Sequence, residues 1–399
     1  MSYLEKLLQG AEVEWKALGE VCDYEQPTKY LVQSNNYNDK FKTPVLTAGK
    51  TFILGNTDET DGIYEASKKP VIIFDDFTTA NKWVDFDFKA KSSAMKMITS
   101  IDESQALLKY IYYWLNTLPS GLVEGDHKRQ WISNYAIKEI PIPPIHIQKE
   151  IVRILDKFTE LTAELTAELT AELTARKKQF IFYREQFFKF DDLQIKREPL
   201  GIIGEFQRGK RFVKDDMISE GVPCIHYGEM YTYYGTWANK SKSFLSEELV
   251  EKKNLRIAEN GDVVIVAAGE TIEDIGLGTA WLGDEGIVIH DACFSFRSPL
   301  NPKYVAYFTR TKQFHDQIKK HISSGKISAI NARGLEKVLI PVPSPEEQER
   351  IVTILDKFDI LTSSISEGLP KEIELRKKQY EYYRDLLLTF PLKAENEKN

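Results

Sequence analysis

The sequence predicts an α+β protein in which two globular domains are separated by two long antiparallel helices, a coiled-coil spacer, with a pseudo-twofold internal repeat. Three observations predict this fold. The chain repeats parts of itself at a fixed offset, the repeated parts carry the apolar spacing of helices, and the regions between them mix strand and helix patterns. A length of 399 residues fits two or three domains of about 150 residues.

Two pairs of segments match each other at an offset of 200 residues. Residues 140–158 and 340–358 are identical at 11 of 19 positions, and residues 176–190 and 376–390 at 7 of 15. The chain is therefore two tandem units, each with an unlike region followed by a like region.

The unlike regions share little identity, apart from a weak echo between residues 15–20 and 197–202 where each begins. A protein with like frames and unlike middles suggests one scaffold that holds two different binding lobes. The parts are the first lobe (15–139), the first matching segment (140–190), the second lobe (197–339) and the second matching segment (340–390). The predicted boundaries are a first domain in 1–145, a central helix in 146–190, a second domain in 191–343, and a distal helix with the C-terminal tail in 344–399.

Each lobe shows an α+β pattern. Val71–Phe74 and Val263–Val266 are apolar runs typical of buried strands, and each follows a polar stretch. Helices are predicted over 103–118 and 302–320.

The matching segments are predicted to be helices, because their apolar residues follow the 3-4 spacing of a heptad seam. Ser344-Pro345 is a strong helix start, whereas Gly368 and Pro370 are expected to kink or break the second helix. The two like seams are expected to pack on each other antiparallel, because a lobe lies between them in the chain. The seam residues are Ile151, Ile154, Phe158, Leu161, Leu165, Leu169 and Leu173 in the first helix, and Ile351, Ile354, Phe358 and Leu361 in the second.

Thr-Ala-Glu-Leu occurs three times in tandem, at 162–165, 166–169 and 170–173. These residues favour helix, so the first helix should run through the tract, with its glutamates on a solvated face. Each four-residue unit adds about 6 Å and about 40° of rotation to a helix. One DNA base pair adds about 3.4 Å and roughly 35°. The rotations nearly match, so one unit more or less could retune two DNA readers by about one base pair.

Composition excludes several classes of protein. No apolar stretch approaches the length of about 18 residues that spans a membrane, and the N-terminus lacks an apolar signal core. Cys22, Cys224 and Cys293 are too sparse for a disulfide framework or a zinc site, which favours a cytoplasmic protein. The net charge is −7, but residues 197–340 hold 19 basic and 19 acidic side chains, so a lobe can still present a basic face.

The sequence lacks the motifs of common catalytic sites. It has no phosphate-binding loop, zinc-protease motif, nucleophile elbow or complete Gly-x-Gly-x-x-Gly, and no Asn/Asp-Pro-Pro-Tyr/Phe of adenine methyltransferases. The histidines show no ligand spacing, and the acidic pairs Asp75-Asp76 and Asp85/Asp87 are better explained as turn residues than as metal or acid–base groups. We therefore expect no catalytic residue, metal or cofactor in this chain.

What remains is binding chemistry. Arg and Lys contact phosphates and, with Asn and Gln, read base edges. A single lysine is more often a solvated charge and a single aromatic residue more often core, so the set as a whole carries the interpretation. The candidates for DNA binding are Lys42, Lys50, Lys68, Lys69, Lys89, Lys91, Lys128 and Arg129 in the first lobe, and Arg208, Lys210, Arg211, Tyr231, Tyr233 and Lys326 in the second.

These features together resemble the specificity subunit of type I restriction–modification systems, over essentially the whole chain. The resemblance rests on unlike lobes alternating with like segments, each entered through Ile-Pro-(Ile/Val)-Pro and Gln-x-x-Ile-Val-x-Ile-Leu-Asp-Lys-Phe. Leu18-Gly19-Glu20 at the lobe entrance agrees, and the tetrapeptide tract resembles the type IC class. Gly368-Leu369-Pro370 departs from the pattern of a straight second helix.

The resemblance implies a subunit that is not an enzyme. Each lobe would be a target recognition domain that reads one half of a bipartite site in double-stranded DNA. The paired helices would set the gap, at about 7 bp for three tetrapeptides. Two modification subunits would dock on the frame and supply S-adenosylmethionine-dependent methylation of adenine N6. Restriction subunits would add translocation and cleavage that use ATP and Mg.

Two other functions stay open on the sequence. One is a self-sufficient methyltransferase or nuclease, which would need a cofactor loop that we do not find. The other is a coiled-coil adaptor whose two lobes bind ligands other than DNA, which would show no salt-dependent affinity for DNA.

Overall fold

The fold is described from a computed structural model that covers residues 3–48, 51–119, 129–190, 195–269, 271–323, 327–364 and 367–391. The chain forms two compact units. The first unit comprises residues 1–168 and 373–399, and the second comprises residues 169–372. Each unit therefore contains one lobe together with parts of both matching segments.

In the described residues of the first lobe and its flanks, three short α-helices precede a 43-residue α-helix, and there are nine strands. The helices are α1 (Tyr3–Leu8), α2 (Leu18–Val21), α3 (Leu108–Leu115) and α4 (Ile145–Phe187). The strands are β1 (Glu14–Ala17), β2 (Cys22–Glu25), β3 (Thr43–Leu46), β4 (Ile53–Thr57), β5 (Val71–Asp75), β6 (Asn81–Val84), β7 (Lys89–Ala90), β8 (Met95–Ser100) and β9 (Glu139–Ile142).

A four-stranded antiparallel sheet of order β2-β8-β5-β6 and a three-stranded sheet of order β4-β3-β7 build the first lobe. Strand β5 is buried along its whole length. Ile72 and Phe74 pack into one core cluster with α3, and Val71 and Ile73 into another on the opposite face. Burial of both faces explains why this strand is a continuous apolar run.

The second lobe and the second matching segment contain eight helices and thirteen strands in the part of the chain that is described. The helices are α5 (Leu200–Ile203), α6 (Tyr227–Thr232), α7 (Glu247–Lys253), α8 (Pro302–Phe308), α9 (Lys312–Ile318), α10 (Ala332–Glu336), α11 (Pro345–Ser363) and α12 (Gly368–Leu388). The strands are β10 (Arg197–Pro199), β11 (Glu205–Arg208), β12 (Val222–Ile225), β13 (Trp237–Ala238), β14 (Ser243–Leu245), β15 (Ile257–Ala258), β16 (Val263–Val266), β17 (Ala268–Gly269), β18 (Gly278–Trp281), β19 (Ile287–Ile289), β20 (Cys293–Arg297), β21 (Ser328–Ala329) and β22 (Leu339–Pro341).

Two larger sheets, of order β11-β20-β16-β18-β13 and β14-β12-β19-β15, build the second lobe. Strand β16, like β5, is buried on both faces. Val263 and Ile265 face one core cluster, and Val264 and Val266 face another. Both predicted strands are confirmed, and so is the α+β class.

Two predicted helices are shorter than the sequence suggested. The helix predicted over 103–118 begins only at Leu108, after a turn held by Asp102, whose carboxylate accepts from Ser104 N at 2.9 Å. The helix predicted over 302–320 is broken into α8 and α9. Thr309 and Thr311 lie in the break, fully buried, and their hydroxyls donate to the carbonyls of the preceding turn.

The weak similarity between residues 15–20 and 197–202 corresponds to equivalent strand pairs in the two lobes. Strand β1 pairs antiparallel with β9, with Trp15 opposite Pro141. Strand β10 pairs in the same way with β22, with Arg197 opposite Pro341. Each Ile-Pro-x-Pro motif thus closes its lobe by pairing the last strand with the first.

Tyrosines on α3 and α8 fasten each lobe to this closure. Tyr110 Oη donates to the Pro141 carbonyl at 2.7 Å, and Tyr304 Oη donates to the Pro341 carbonyl at 3.0 Å. Both rings are fully buried.

A buried glutamine in the first turn of α4 and another in the first turn of α11 bond to their lobes in the same way. Gln148 accepts from Leu107 N at 2.9 Å and donates to the Pro143 carbonyl at 2.8 Å. Gln348 accepts from Asn301 N and donates to the Pro343 carbonyl, both at 2.9 Å. Since a buried amide is costly unless it is satisfied, these bonds fix the angle between helix and lobe.

Aspartates at equivalent positions complete the attachment. Asp156 accepts from Tyr113 Oη at 2.5 Å. Asp356 accepts from Tyr307 Oη and from Lys303 Nζ, both at 2.7 Å. We call the tyrosine, glutamine and aspartate contacts of each unit its anchor.

Helix α4 runs unbroken through the tetrapeptide tract, as predicted. The seams depart from the expectation that they pack on each other, because each packs against the later part of the other matching segment. Phe158 contacts Tyr383 in the first unit, with ring centroids 5.8 Å apart, and Phe358 contacts Tyr183 in the second unit at 5.5 Å.

The first seam positions also differ from the prediction. Ile151 and Ile351 are fully buried within the lobe cores, so they belong to the lobes and not to a coiled coil. Leu161 is 46% exposed and is therefore not a packed seam position. Leu165, Leu169 and Leu173 are half-buried.

The break in the second matching segment is confirmed. Ser344 caps α11 by accepting from Glu347 N, and α11 ends at Ser363. Gly368 then starts α12 with φ +77°, where a Cβ would lie 2.5 Å from the Ile360 carbonyl oxygen. Only glycine suits that position, and Pro370 is tolerated because it lies in the first turn of α12.

Candidate nucleic-acid interface

A cleft of about 810 Å³ lies in the second lobe, at the end of β11, the start of α6 and the loop after β19. Its exposed side chains are the basic residues Arg208, Arg211 and Lys214 together with the apolar residues Val213 and Ile327, and its buried side chains are mostly rings. This combination suits a ligand with negative charge outside and polar aromatic groups inside. The lining residues are Arg208, Arg211, Phe212, Val213, Lys214, His226, Tyr227, Ala268, Gly269, His290, Asp291, Ala292 and Ile327.

The basic turn after β11 supplies the cations. Arg208 is exposed, and its Nε donates to the Asp291 carbonyl at 2.9 Å. Arg211 and Lys214 are also exposed and line the cleft. Gly209 between them packs so closely that a Cβ would lie 2.2 Å from the His290 carbonyl oxygen, so the turn needs glycine there. The sequence-predicted residues Arg208 and Arg211 are thus brought together.

Four rings form the inner wall. The centroids of His226 and His290 lie 4.6 Å apart, and Tyr227 lies 4.6 Å from His226. Phe212 contacts both imidazoles, at 6.0 Å and 5.1 Å. Sequence reasoning missed the two histidines because they are 64 residues apart in the chain. Their only signal in the sequence is that each directly follows a short apolar strand, β12 before His226 and β19 before His290.

Both imidazoles are held neutral. Burial lowers the pKa of His226 to about 4, assisted by the neighbouring His290 and Lys214. Burial also lowers the pKa of His290, opposed by the Asp291 carboxylate. At neutral pH the rings therefore act as hydrogen-bonding groups and the arginines and Lys214 carry the charge.

Three other predicted residues of the second lobe take different places. Lys210 does not line the cleft, since its Nζ donates to the Lys253 carbonyl at 3.4 Å. The Tyr231 hydroxyl is buried without a hydrogen-bond partner among the described residues. Tyr233 is exposed, with Lys242 Nζ 5.2 Å from its ring centroid. Lys326 lies outside the described residues.

In the first lobe, Lys89 is withdrawn as a candidate. Its side chain is buried, its Nζ pairs with Glu59 at 2.9 Å, and it donates to the Asp61 carbonyl at 2.6 Å. A lysine so enclosed holds a loop together and is not available to a phosphate.

The remaining candidates of the first lobe are spread over its surface. Lys42 and Lys69 are exposed, and Lys68 is exposed and paired with Glu65 at 2.8 Å. Lys91 is half-buried, bonds to Asn35 Oδ1 and lies 5.8 Å from the Tyr37 ring centroid. Lys50 and Lys128 lie outside the described residues.

Arg129 is exposed at the start of a π-helical turn, Trp131–Tyr135. With its amide oriented to suit its neighbours, Gln26 Oε1 accepts from Arg129 Nη1 at 3.2 Å and from Lys96 Nζ at 3.1 Å. The turn is held by Asp76, which accepts from Trp131 N at 2.8 Å. π-Helical turns are frequent at functional sites, which keeps Arg129 a candidate.

Of the acidic pairs, Asp75 holds a turn by accepting from Phe77 N at 2.8 Å, whereas Asp76 is buried 3.7 Å from Lys96 Nζ. Asp85 accepts from Trp83 Nε1 at 3.1 Å, and Asp87 joins two parts of the lobe by accepting from Ser67 N at 3.0 Å. The interpretation as turn residues is therefore wrong for Asp76, which is buried, and for Asp87, whose partner is 20 residues away. Across the described ranges, no group of three or more His, Cys, Asp or Glu side chains is arranged to hold a metal ion.

The three cysteines are free and buried. Burial raises the pKa of the Cys22, Cys224 and Cys293 thiols to about 12, so they behave as small apolar groups. None of the helices in the described part of the chain is long and apolar enough to cross a membrane.

The chain is similar to known proteins along nearly its whole length. The family described as "Type I restriction modification DNA specificity domain" matches residues 11–175 and 196–375. The type I restriction enzyme EcoR124I/EcoR124II specificity subunit of Escherichia coli is 51% identical, with 98% of each chain covered. A putative type I restriction enzyme specificity subunit of Haemophilus influenzae, S.HindORF215P, is 32% identical, also with 98% of each chain covered.

Solved structures agree on the fold. A chain from a study of complex assembly and conformational transition of the type I R-M system has a TM-score of 0.65 and 17% identity, covering 94% of this chain and 97% of that one. The HsdS subunit of Thermoanaerobacter tengcongensis has a TM-score of 0.51 and 17% identity, covering 94% and 95%. With two matching repeats, two anchored lobes and relatives of this similarity, the chain belongs to the family of type I restriction–modification specificity subunits.

Proposed function

We propose that the first and second lobes each read one half of a bipartite DNA site, as the target recognition domains of a type I complex. The single observation that carries this proposal is the contrast between equivalent anchors and unlike lobe surfaces. Two different half-sites require two different binding surfaces, and these can be held by two copies of the same frame.

The basic cleft supports DNA as the ligand of the second lobe. Arg208, Arg211 and Lys214 are positioned for phosphates, and the buried rings for base edges or base faces. In the first lobe, Lys42, Lys69 and Arg129 are the exposed cations that we propose for the same role. A net charge of −7 is tolerable because the cations are grouped locally.

The tetrapeptide tract is proposed to set the gap between the half-sites. It lies within one continuous helix, and its glutamates face solvent or pair locally, as Glu172 does with Arg176 at 2.7 Å. Three copies suggest a gap of about 7 bp.

The frame is proposed to dock two modification subunits. Phe182 in the second unit and Tyr382 in the first stand at equivalent positions of the two matching segments, and they are exposed by 57% and 65%. Two equivalent apolar points fit two copies of one partner. Phe182→Ala and Tyr382→Ala are each expected to leave one modification subunit bound, and loss of neither by native mass measurement would contradict this docking.

In this proposal the chain is not catalytic. S-adenosylmethionine would bind to the modification subunits, and ATP with Mg would bind to the restriction subunits. The chain would contribute double-stranded DNA recognition and the geometry of the complex. A coiled-coil adaptor for another ligand is the alternative, and it has no observation in its favour beyond the generality of helical frames.

The experiment is a methylation map. The chain is expressed with its modification subunit in a host free of DNA methylation, and N6-methyladenine is located by long-read sequencing. We expect a split motif with a fixed gap that disappears when this chain is omitted. A continuous motif, or methylation that does not depend on this chain, would contradict the proposal.

A further inference from the structure

We propose that His226 is a specificity-determining residue of the second lobe, which donates a hydrogen bond from Nε2 to an acceptor on a base edge. This inference rests on the proposed function, because it takes DNA as the ligand of the cleft. The acceptors of the right class are guanine N7 and O6, adenine N7 and thymine O4 in the major groove.

The position of the donor follows from a hydrogen bond on the other side of the ring. His226 precedes α6, and its Nδ1 accepts from Gly228 N at 3.2 Å. A neutral imidazole with an accepting Nδ1 carries its proton on Nε2. Among the described residues the imidazole makes its hydrogen bond through Nδ1, which leaves Nε2 for a ligand, and His226 lines the cleft.

The donor is held rigidly. Glu229 Oε2 accepts from the backbone N–H of His226 at 3.1 Å, and Glu229 Oε1 accepts from Ser243 Oγ at 2.5 Å. Tyr227 and His290 pack on the ring, each at 4.6 Å. Only 6% of His226 is exposed, so the ring cannot turn without moving its neighbours. A donor fixed before binding loses little entropy when it meets its acceptor.

The charge state fits recognition of a base. Lys214 and Asp291 are the charged groups that most affect the ring besides His290, and the ring stays neutral at physiological pH. It therefore offers one directional donor without the general attraction to phosphates that a cation has. Arg208, Arg211 and Lys214 already supply that attraction at the cleft.

His290 does not share this role. Its Nδ1 accepts from Ala292 N at 3.1 Å and also lies 3.0 Å from Asp291 Oδ1. Because a carboxylate lies beside this ring, it is less suited to an acceptor on a base edge, and we assign His290 to support of the cleft wall and His226 to readout.

Two substitutions separate readout from structure. Asn in place of His226 puts an amide oxygen near the position of Nδ1, which keeps the cap on Gly228 N, and it removes the distal donor. Gln in place of His226 reaches the position of Nε2 with an NH₂ donor. A merely structural histidine should therefore tolerate His226→Asn better, whereas a base-reading histidine should tolerate His226→Gln better.

The test maps N6-methyladenine in cells that express each variant with the modification subunit. For His226→Asn we expect discrimination at one base of one half-site to fall about 10- to 100-fold, with the other half-site and the gap unchanged. For His226→Gln we expect that base to stay preferred. His146→Gln, on the exposed first turn of α4, is the matched control and should leave the motif unchanged.

Unchanged preference at every position in His226→Asn would overturn the inference while leaving the proposed function intact. Relaxation by both variants to the same extent, with an equal fall in melting temperature, would assign His226 to structure and also overturn it. If the unsubstituted complex produces no split motif, it is the proposed function that fails.

Discussion

At one equivalent point the two lobes can be compared directly. In the first lobe, the Asp76 carbonyl accepts from Gln130 N at 2.8 Å, and in the second lobe the Ala267 carbonyl accepts from Ile330 N at the same distance. This backbone hydrogen bond is the same in both lobes, but the side chains differ. Asp76 lies 3.7 Å from Lys96, and both are almost fully buried, whereas Ala267 packs in an apolar core beside a strand that borders the histidine cleft.

This difference indicates which positions stay alike between the two halves of a duplicated protein and which diverge. The anchors use backbone carbonyls of the Ile-Pro-x-Pro motifs as acceptors, so the contacting side chains cannot change without leaving a buried carbonyl unpaired. Outside the anchors the two lobes differ, with the buried Lys96 on β8 of the first lobe and the imidazole pair of His226 and His290 in the second.

The largest expected effect is on the anchors. Tyr304→Ala should lower the free energy of unfolding of the second unit by about 3–5 kcal/mol, because it removes a fully buried ring and the bond to Pro341. Tyr110→Ala should do the same to the first unit. Tyr→Phe at either position is the control and should cost about 1–2 kcal/mol. Calorimetry that shows one of the two alanine variants to be neutral would break the equivalence of the anchors.

The anchor aspartates Asp156 and Asp356 test how far the stabilities of the two anchors differ. Asp356→Asn should cost about 1.5–3 kcal/mol, because Asp356 accepts from Tyr307 and from Lys303 at 2.7 Å. Asp156→Asn should cost less, since Lys109 lies 3.5 Å from Asp156 and the Asp156 side chain is 49% exposed. Equal losses in chemical denaturation would contradict this ranking.

The cleft arginines test whether the second lobe binds phosphates. Arg208→Ala with Arg211→Ala should reduce the slope of log affinity against log salt by about 2, at about 1 for each lost phosphate contact. Affinity should fall alike for cognate and non-cognate DNA. Lys68→Ala in the first lobe, where the charge is already paired with Glu65, is the control and should leave the slope nearly unchanged.

The smallest expected effect concerns pH. Because the pKa of His226 is lowered in the folded chain, the unfolded chain binds a proton more readily, and stability falls as pH drops from about 6.5 towards about 4. Between pH 7 and pH 5 the loss should be smaller in His226→Asn than in the unsubstituted chain, by about 2 kcal/mol or less, because one pKa unit is worth about 1.4 kcal/mol and pH 5 lies about 1.5 units below the pKa of a free imidazole. An identical loss in both would show that His226 does not titrate on unfolding.

Much of the fold was predictable because its signals are local or repeated. The buried strands β5 and β16 and the cap at Ser344 follow from short local patterns, and the 200-residue repeat follows from direct comparison of the chain with itself. The anchor residues on α3 and α8 were missed. Lys109-Tyr110-x-x-Tyr113 and Lys303-Tyr304-x-x-Tyr307 do repeat, but at an offset of 194 and with few identities between them.

The candidate site was less predictable, because it depends on which residues meet in space. Arg208 and Arg211 could be selected from composition, but burial of Lys89 depends on Glu59 and the Asp61 carbonyl from another part of the lobe. The pairing of His226 with His290 depends on β12 lying parallel to β19. Similarly, the true partner of Phe158 is Tyr383, 225 residues away.

The central claim is that the lobes set the half-sites and the frame sets the gap. The most direct test deletes Thr166–Leu169, one tetrapeptide within α4, and maps N6-methyladenine with the modification subunit present. Glu164→Gln with Glu168→Gln is the control, because it changes the tract and keeps its length. We expect both half-sites to persist and the gap to shorten by about one base pair, since one unit turns the helix by about 40° against roughly 35° for a base pair. An unchanged gap, or altered half-sites, would contradict the account.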